Sequence, residues 1–254
     1  MSTQSIPVEN QPFLYINGLN VSNDATTPNT KIDVSSGQCR DANDIMDIII
    51  SSALVINAGA NGAVNRLDSG TFAASKVYAV YAIGDSTNKL TSGGLLSLAS
   101  NSVPTLPFGY DSYRKIGYAI SDSSVHFLKA YVAGNNNYRL FVYDSPQATS
   151  VTAGTSATYA AIDLSVLVPP VDQSPVNFRV NWTANAAADT FNMQGGNGTG
   201  DQFSMIAPVA GGTAHTIGFG IVLSQLVAGV PTVNYKVSAV GGVAINVASF
   251  NFFI

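Results

Sequence analysis

Apolar and polar residues alternate with a period of two along much of the chain. In "KVYAVYAIG", Val77, Ala79, Tyr81 and Ile83 fall on one face. In "YRKIGYAI", Arg114, Ile116, Tyr118 and Ile120 fall on one face, and Lys115, Gly117 and Ala119 on the other. "VHFLKAYV", "NYRLFVYD" and "TVNYKVSAV" behave alike. This period is the mark of a strand with one buried face. Between these runs lie "GDSTN", "SDSS", "GNNN", "GGNGTG" and "AGGT", whose Gly, Asn, Asp and Ser suit turns. The "SDSS" loop, Ser121 to Ser124, has the length of a hairpin built around a type I turn, with 113–120 as its first arm.

One stretch is ambiguous. "DANDIMDIIISSALVINAG" could begin a helix at Asp41 or Asn43, but Ile48, Ile49 and Ile50 are β-branched. Two strands, about 45–50 and 53–57 and joined at Ser51 and Ser52, are the preferred reading. The stretch from Tyr143 to Pro175 holds Pro146, Pro169, Pro170 and Pro175, which marks a lobe boundary near 145–155. The expected architecture is all-β and mostly antiparallel, with two jelly-roll-like or β-sandwich lobes. Residues 1–14 form an N-terminal anchoring tail, 15–148 the first lobe and 149–254 the second. No repeat of 20–50 residues is visible, which argues against a propeller or solenoid.

Composition sharpens this picture. The chain has 254 residues, of which 10% are charged, against about 25% in an average globular protein. Ser, Thr, Asn and Gly stand where Lys and Glu usually do, and a β surface so poor in charge points to burial in an assembly. The net charge is −4, which disfavours a nucleic-acid partner. No apolar run reaches 18 residues, so no membrane insertion is expected. Cys39 is the single cysteine, so no internal disulfide can form. The start "MSTQSIPVENQPF" lacks the pattern of a secretory signal, which leads to an expectation of cytoplasmic synthesis.

Candidate chemistry is sparse. His126 and His215 are the two histidines, and neither has a nucleophile elbow to serve. Asp41, Asp44 and Asp47 would line one face of a helix and could hold a hard cation there. On strands they would not converge, and solvated turn acids are expected. Glu9 is the one glutamate, so a glycosidase would need two aspartates that no spacing nominates. "QGGNGTGD" lacks the lysine of a phosphate-binding loop. The glycosylation patterns at Asn20 and Asn197 carry little weight without a secretory signal. Tyr138 and Trp182 are candidate glycan contacts, with core packing as the alternative. Phe250, Phe252, Phe253 and Ile254 form either a last buried strand or a subunit interface. No catalytic residue, metal site or cofactor is expected.

The string "YAVYAIGDSTN…LLSLAS…PTLPFGYDSYRKIGYAISDSSVHFLKAY" resembles a recurrent segment of tailed-bacteriophage virion proteins of the tail-fibre or appendage type. Lys115 stands where that pattern has a second arginine. "LNVSNDATTPNTKIDVSSGQCRDANDI", "VTAGTSATYAAIDLSVLVPP" and "VNYKVSAVGGVAINVASF" look similar to the same family, so the resemblance spans roughly residues 12–254. It implies a non-enzymatic structural protein of the virion, made in the bacterial cytoplasm. It further implies a homo-oligomer, by family habit a trimer, joined to other tail or capsid proteins and contributing to host attachment, with a host surface glycan as a further partner. The alternatives are a capsid decoration or head-fibre protein and, in another class, a soluble carbohydrate-binding module. On this reading Tyr110, Tyr113 and Arg114 are structural. Pro107 and Gly109 set a turn, the tyrosines pack on the sheet, and Arg114 pairs with an acid or with carbonyl oxygens.

Overall fold

The computed structural model describes residues 15–134, 138–198, 200–207, 214–238 and 242–253, without side chains at 214–219. The fold is all-β. Strands make up 55% of the chain, no helix occurs among the described residues, and the sheets are large, mostly antiparallel and sandwich-like. The chain divides into two compact units, residues 1–139 with 253–254, and residues 140–252. The division falls between Arg139 and Leu140, whereas the proline-rich stretch had suggested 148/149. The proposed anchoring tail, 1–14, lies outside the described residues.

The first unit contains β1 (Ile16–Gly18), β2 (Val21–Asn23), β3 (Lys31–Val34), β4 (Gly37–Arg40), β5 (Asp47–Ile50), β6 (Leu54–Asn61), β7 (Arg66–Leu67), β8 (Val77–Gly84), β9 (Ser92–Leu98), β10 (Ser112–Ile120) and β11 (Ala130–Ala133). A small sheet has the order β1-β4-β5, and the larger one runs β10-β8-β9-β7-β6-β3-β2-β11. Among the described pairings of this unit, β6–β7 and β7–β9 are the parallel ones. The small sheet lies on the larger: Ser92 Oγ donates to the Ile49 carbonyl at 2.6 Å. A Cβ on Gly84 would stand 3.1 Å from the Met46 methyl and 3.2 Å from Ile48. All eight residues of β8 are buried, so both its faces are covered. That is why "VYAVYAIG" is nearly continuous in apolar character rather than cleanly alternating.

The second strand-pair reading of residues 45–57 holds, with β5 and β6 in place of a helix. The two strands belong to different sheets and do not pair with each other. The hairpin expected around Ser121–Ser124 is corrected. Past the turn the pairing stops at the Ser121–Phe127 bridge, closed by Asp122 N–H to the His126 carbonyl and Leu128 N–H to the Ile120 carbonyl, each at 2.8 Å. Phe127 N–H then goes to the Asn29 carbonyl, β11 pairs with β2, and β10 takes β8 as its partner.

The second unit holds β12 (Tyr138–Ala148, mostly within it), β13 (Ala160–Asp163), β14 (Ser174–Thr183), β15 (Thr190–Gly195), β16 (Phe203–Ile206), β17 (Ala214–Val227), β18 (Val230–Val237) and β19 (Val243–Phe253). Its order is β12-β19-β14-β17-β18-β15-β16, with β13 on β18. In β14, Val176, Phe178, Val180 and Trp182 are buried and alternate with Asn177, Arg179 and Asn181. In β19, the buried set changes phase from Val243, Ile245 and Val247 to Phe250 and Phe252. A register shift opposite Asn177 and Phe178 leaves Ala248 as the extra residue, so both runs point inward. Phe141 and Phe250 stack with ring centres 4.6 Å apart, and Trp182 and Phe191 meet at 6.3 Å.

Candidate functional site

The stretch "YDSYRKIG" is the start of β10 and the turn before it. Tyr110 N–H donates to the Pro107 carbonyl at 3.2 Å. Gly109 sits at φ 86°, the left-handed position such a turn assigns to glycine. Asp111 then fastens this turn to the β8–β9 loop. Its carboxylate accepts Ser86 N–H at 2.8 Å and Ser86 Oγ–H at 2.5 Å. The Ser86 hydroxyl and amide hold its carboxyl below the usual range.

Within β10 a bulge decides which way each side chain faces. Lys115 is opposite Tyr81, Gly117 is opposite Val80, and Ile116 is the extra residue. Arg114 therefore shares a face with Ala82, and Tyr118 shares the other with Ala79. The sequence pattern had put Arg114 and Tyr118 on one face, and the bulge corrects this. Tyr113, Tyr81, Lys115 and Tyr118 line one side. The Tyr81 and Tyr113 rings meet edge-on at 5.9 Å, and the Lys115 ammonium lies 5.3 Å from the Tyr118 ring centre. Burial pushes the Tyr81 hydroxyl up to about 12. Burial, and then Arg114, push the Lys115 ammonium down. Tyr110 is half-buried, and burial raises its hydroxyl.

Arg114 is 4% exposed and faces the small sheet. Burial lowers its pKa most, while Cys39 and Asp41 push it back up. Asp41 is fully buried. Its Oδ1 accepts Ile45 N–H at 2.6 Å and Met46 N–H at 2.8 Å, and its Oδ2 accepts Asn43 N–H at 3.1 Å. The expectation of solvated acids here is thus corrected for Asp41, because three backbone donors replace water around it. Asp44 and Asp47 do converge, but on Arg40, at 2.7 and 3.3 Å. No cluster of metal-ligating side chains occurs among the described residues.

Two buried groups of this region stood out little in the sequence. Burial pushes the Cys39 thiol up to about 12. Arg139 is completely buried, and its guanidinium donates to the carbonyls of Leu19 at 3.1 Å and Gly18 at 3.4 Å, and to Asn20 Oδ1 at 3.4 Å. Desolvation lowers it to about 10. "NNNYRLFVY" reads only as an alternating strand, and its arginine lies on the same parity as Phe141 and Tyr143, which was the available signal.

The aromatic candidates separate. Trp182 is 1% exposed, so it is core and not a glycan contact. Tyr138 is 45% exposed, and its ring lies 5.2 Å from Phe253, which is also exposed. Phe250 and Phe252 are fully buried in the second unit, which matches the buried-strand alternative for them. Ile254 lies outside the described residues, as does the side chain of His215. His126 N–H is held by the Asp122 carboxylate at 2.9 Å. In "QGGNGTGD", Asn197 N–H donates to Gln225 Oε1 at 2.6 Å, and Gly198 and Gly200 have positive φ. This is the turn between β15 and β16.

No family model matches the chain. No curated protein matches it. Among solved structures, one titled "Structure of infectious bursal disease virus Gx strain" aligns at 11% identity over 98% of this chain and 73% of that chain. The TM-score is 0.21, too low to carry an argument.

Proposed function

We propose that the chain is a non-enzymatic structural protein of a tailed-phage virion, a tail-fibre or tail-appendage component that contributes to host attachment. The observation that carries this reading is the use made of "YDSYRKIG". Its ionisable side chains serve the sheet and its turns: Asp111 ties two loops, Lys115 and Tyr113 pack on tyrosines, and Arg114 is sealed inside. The stretch that most resembles virion proteins is therefore built as scaffold. The low charge of the whole chain supports burial in an assembly, with a homotrimer as the proposed state. The exposed pair Tyr138 and Phe253 keeps a host glycan as a proposed contact of the appendage.

Immunogold labelling of intact particles with an antibody to this chain tests the reading. Label at the tail end supports the appendage. Label spread over the head makes the chain a capsid decoration protein. Chain found only free of particles sinks the virion reading and favours a soluble carbohydrate-binding module.

A further inference from the structure

Three loops meet at the Gly84 end of the first unit. They are residues 41–46 between β4 and β5, residues 85–91 between β8 and β9, and the 107–111 turn before β10. Hydrogen bonds hold them side by side. Asp111 N–H donates to the Gly84 carbonyl at 3.1 Å, and Ala42 N–H to the Tyr113 carbonyl at 2.8 Å. Ser86 is bound by Asp111, and the Met46 methyl lies against Gly84. Each loop is also fixed within itself. Asp85 Oδ1 accepts Thr87 and Asn88 N–H, and Asp41 braces the amides of Asn43, Ile45 and Met46.

Each of these braced loops carries a bulky apolar residue in water. Ile45 is 63% exposed, Leu90 87% and Phe108 105%. A rigid apolar tip binds at a small entropic cost, because little is left to order. The charges around the tips set the kind of partner. Arg40 is taken up between Asp44 and the largely buried Asp47, and Asp85 and Asp111 stand beside Lys89, so four carboxylates face two cations at this end. A second copy placed face to face, or an anionic lipid surface, would bring like charge to this end.

We propose that this end of the first unit is a docking surface for a different virion protein, one that offers an apolar pocket with a cationic rim. The proposal rests on the virion reading above. Phe108 and Leu90 are the anchors that enter the pocket, and the carboxylates meet the rim.

The test uses the labelled full-length chain and purified particles from a lysate made without it, with binding measured by co-sedimentation. Wild-type chain binds, and more weakly as salt is raised. Phe108→Ser and Leu90→Ser each weaken binding by about thirtyfold, the scale of a hot-spot anchor. Tyr131→Ser, at a half-exposed aromatic of β11 away from these loops, leaves it unchanged. All variants melt with the wild type, because the replaced side chains are solvent-exposed. If wild-type chain binds and Phe108→Ser binds within twofold of it, the docking surface is wrong and the virion reading stands. If wild-type chain binds no particle, both fall. Salt-independent binding removes the cationic rim. Phe108-dependent flotation with phosphatidylcholine vesicles, or Phe108-dependent self-association in sedimentation, overturns the proposal in favour of a membrane or a second copy.

Discussion

Replacing Asp41 by alanine removes one side chain and leaves three backbone donors without their acceptor. Ile45 and Met46 N–H reach Oδ1 at 2.6 and 2.8 Å, and Asn43 N–H reaches Oδ2 at 3.1 Å. Hydrogen bonds to a charged acceptor contribute about 1.5–3 kcal/mol each, and an orphaned buried donor costs about 1–3 kcal/mol. Asn43 and Ile45 are exposed residues whose amides can turn to water, whereas Met46 is 3% exposed. The sum for Asp41→Ala is about 3–5 kcal/mol. Asp41→Asn keeps one oxygen for the two Oδ1 bonds and loses the charge, so about 1–2 kcal/mol is expected. Asp44→Ala is the control. That carboxylate is half-exposed, and Arg40 keeps Asp47, so the loss stays under about 1 kcal/mol. Urea titration of the full chain, with hydrogen exchange of peptides covering 41–50, measures these changes. Trp182 is the one tryptophan and lies in the second unit, so its emission reports that unit separately. An Asp41→Ala cost below about 1 kcal/mol, or an Asp44→Ala cost equal to it, would refute the assignment of Asp41 as a buried brace.

Cys39 gives a pH-dependent prediction. The unfolded thiol ionises near 9.0 and the folded thiol at about 12. Between these values the unfolded chain has released a proton that the folded chain keeps, so this contribution is intact below pH 9 and is lost as pH rises toward 12. Cys39→Ala should flatten the fall of the urea midpoint in that window and leave its slope below pH 9 unaltered; an unchanged alkaline slope counts against the buried thiol. The C-terminal strand gives another. Phe250→Ala should cost about 3–5 kcal/mol without altering the oligomeric mass, while Phe253→Ser, at an exposed site, should cost under about 1 kcal/mol. A Phe250→Ala chain of normal stability but altered mass would put that ring at a subunit seam.

The alternation of residues in "NYRLFVYD" and "TVNYKVSAV" marked, without any help from the fold, the buried Phe141 and Tyr143 of β12 and Val233, Tyr235 and Val237 of β18, while Thr232 is buried against the pattern. The β-branched run Ile48–Ile50 determined strands over a helix. The turn at Gly109 was legible too, because a left-handed residue there has a local steric cause. These features depend on neighbours a few residues apart. What β10 pairs with, and how its faces point, depends on β8 residues 28 to 43 positions away, from Ser112–Gly84 (112 − 84 = 28) to Ile120–Val77 (120 − 77 = 43). A bulge at Ile116 turned Arg114 and Tyr118 to opposite faces, and one at Ala248 brought Phe250 and Phe252 inward, where period-two counting from Val243 would have placed them outside. Burial of Asp41 and Arg139 was likewise decided by tertiary structure. A buried charge persists only where hydrogen-bond donors or acceptors converge on it. The Asp41 brace is closed by amides of its own loop, but Arg139 finds its carbonyls at Gly18 and Leu19, far away along the chain. The sequence settled the strands and their local turns. Only the assembled sheets could settle which polar groups are sealed inside and which apolar ones, such as Phe108 and Leu90, are left facing water.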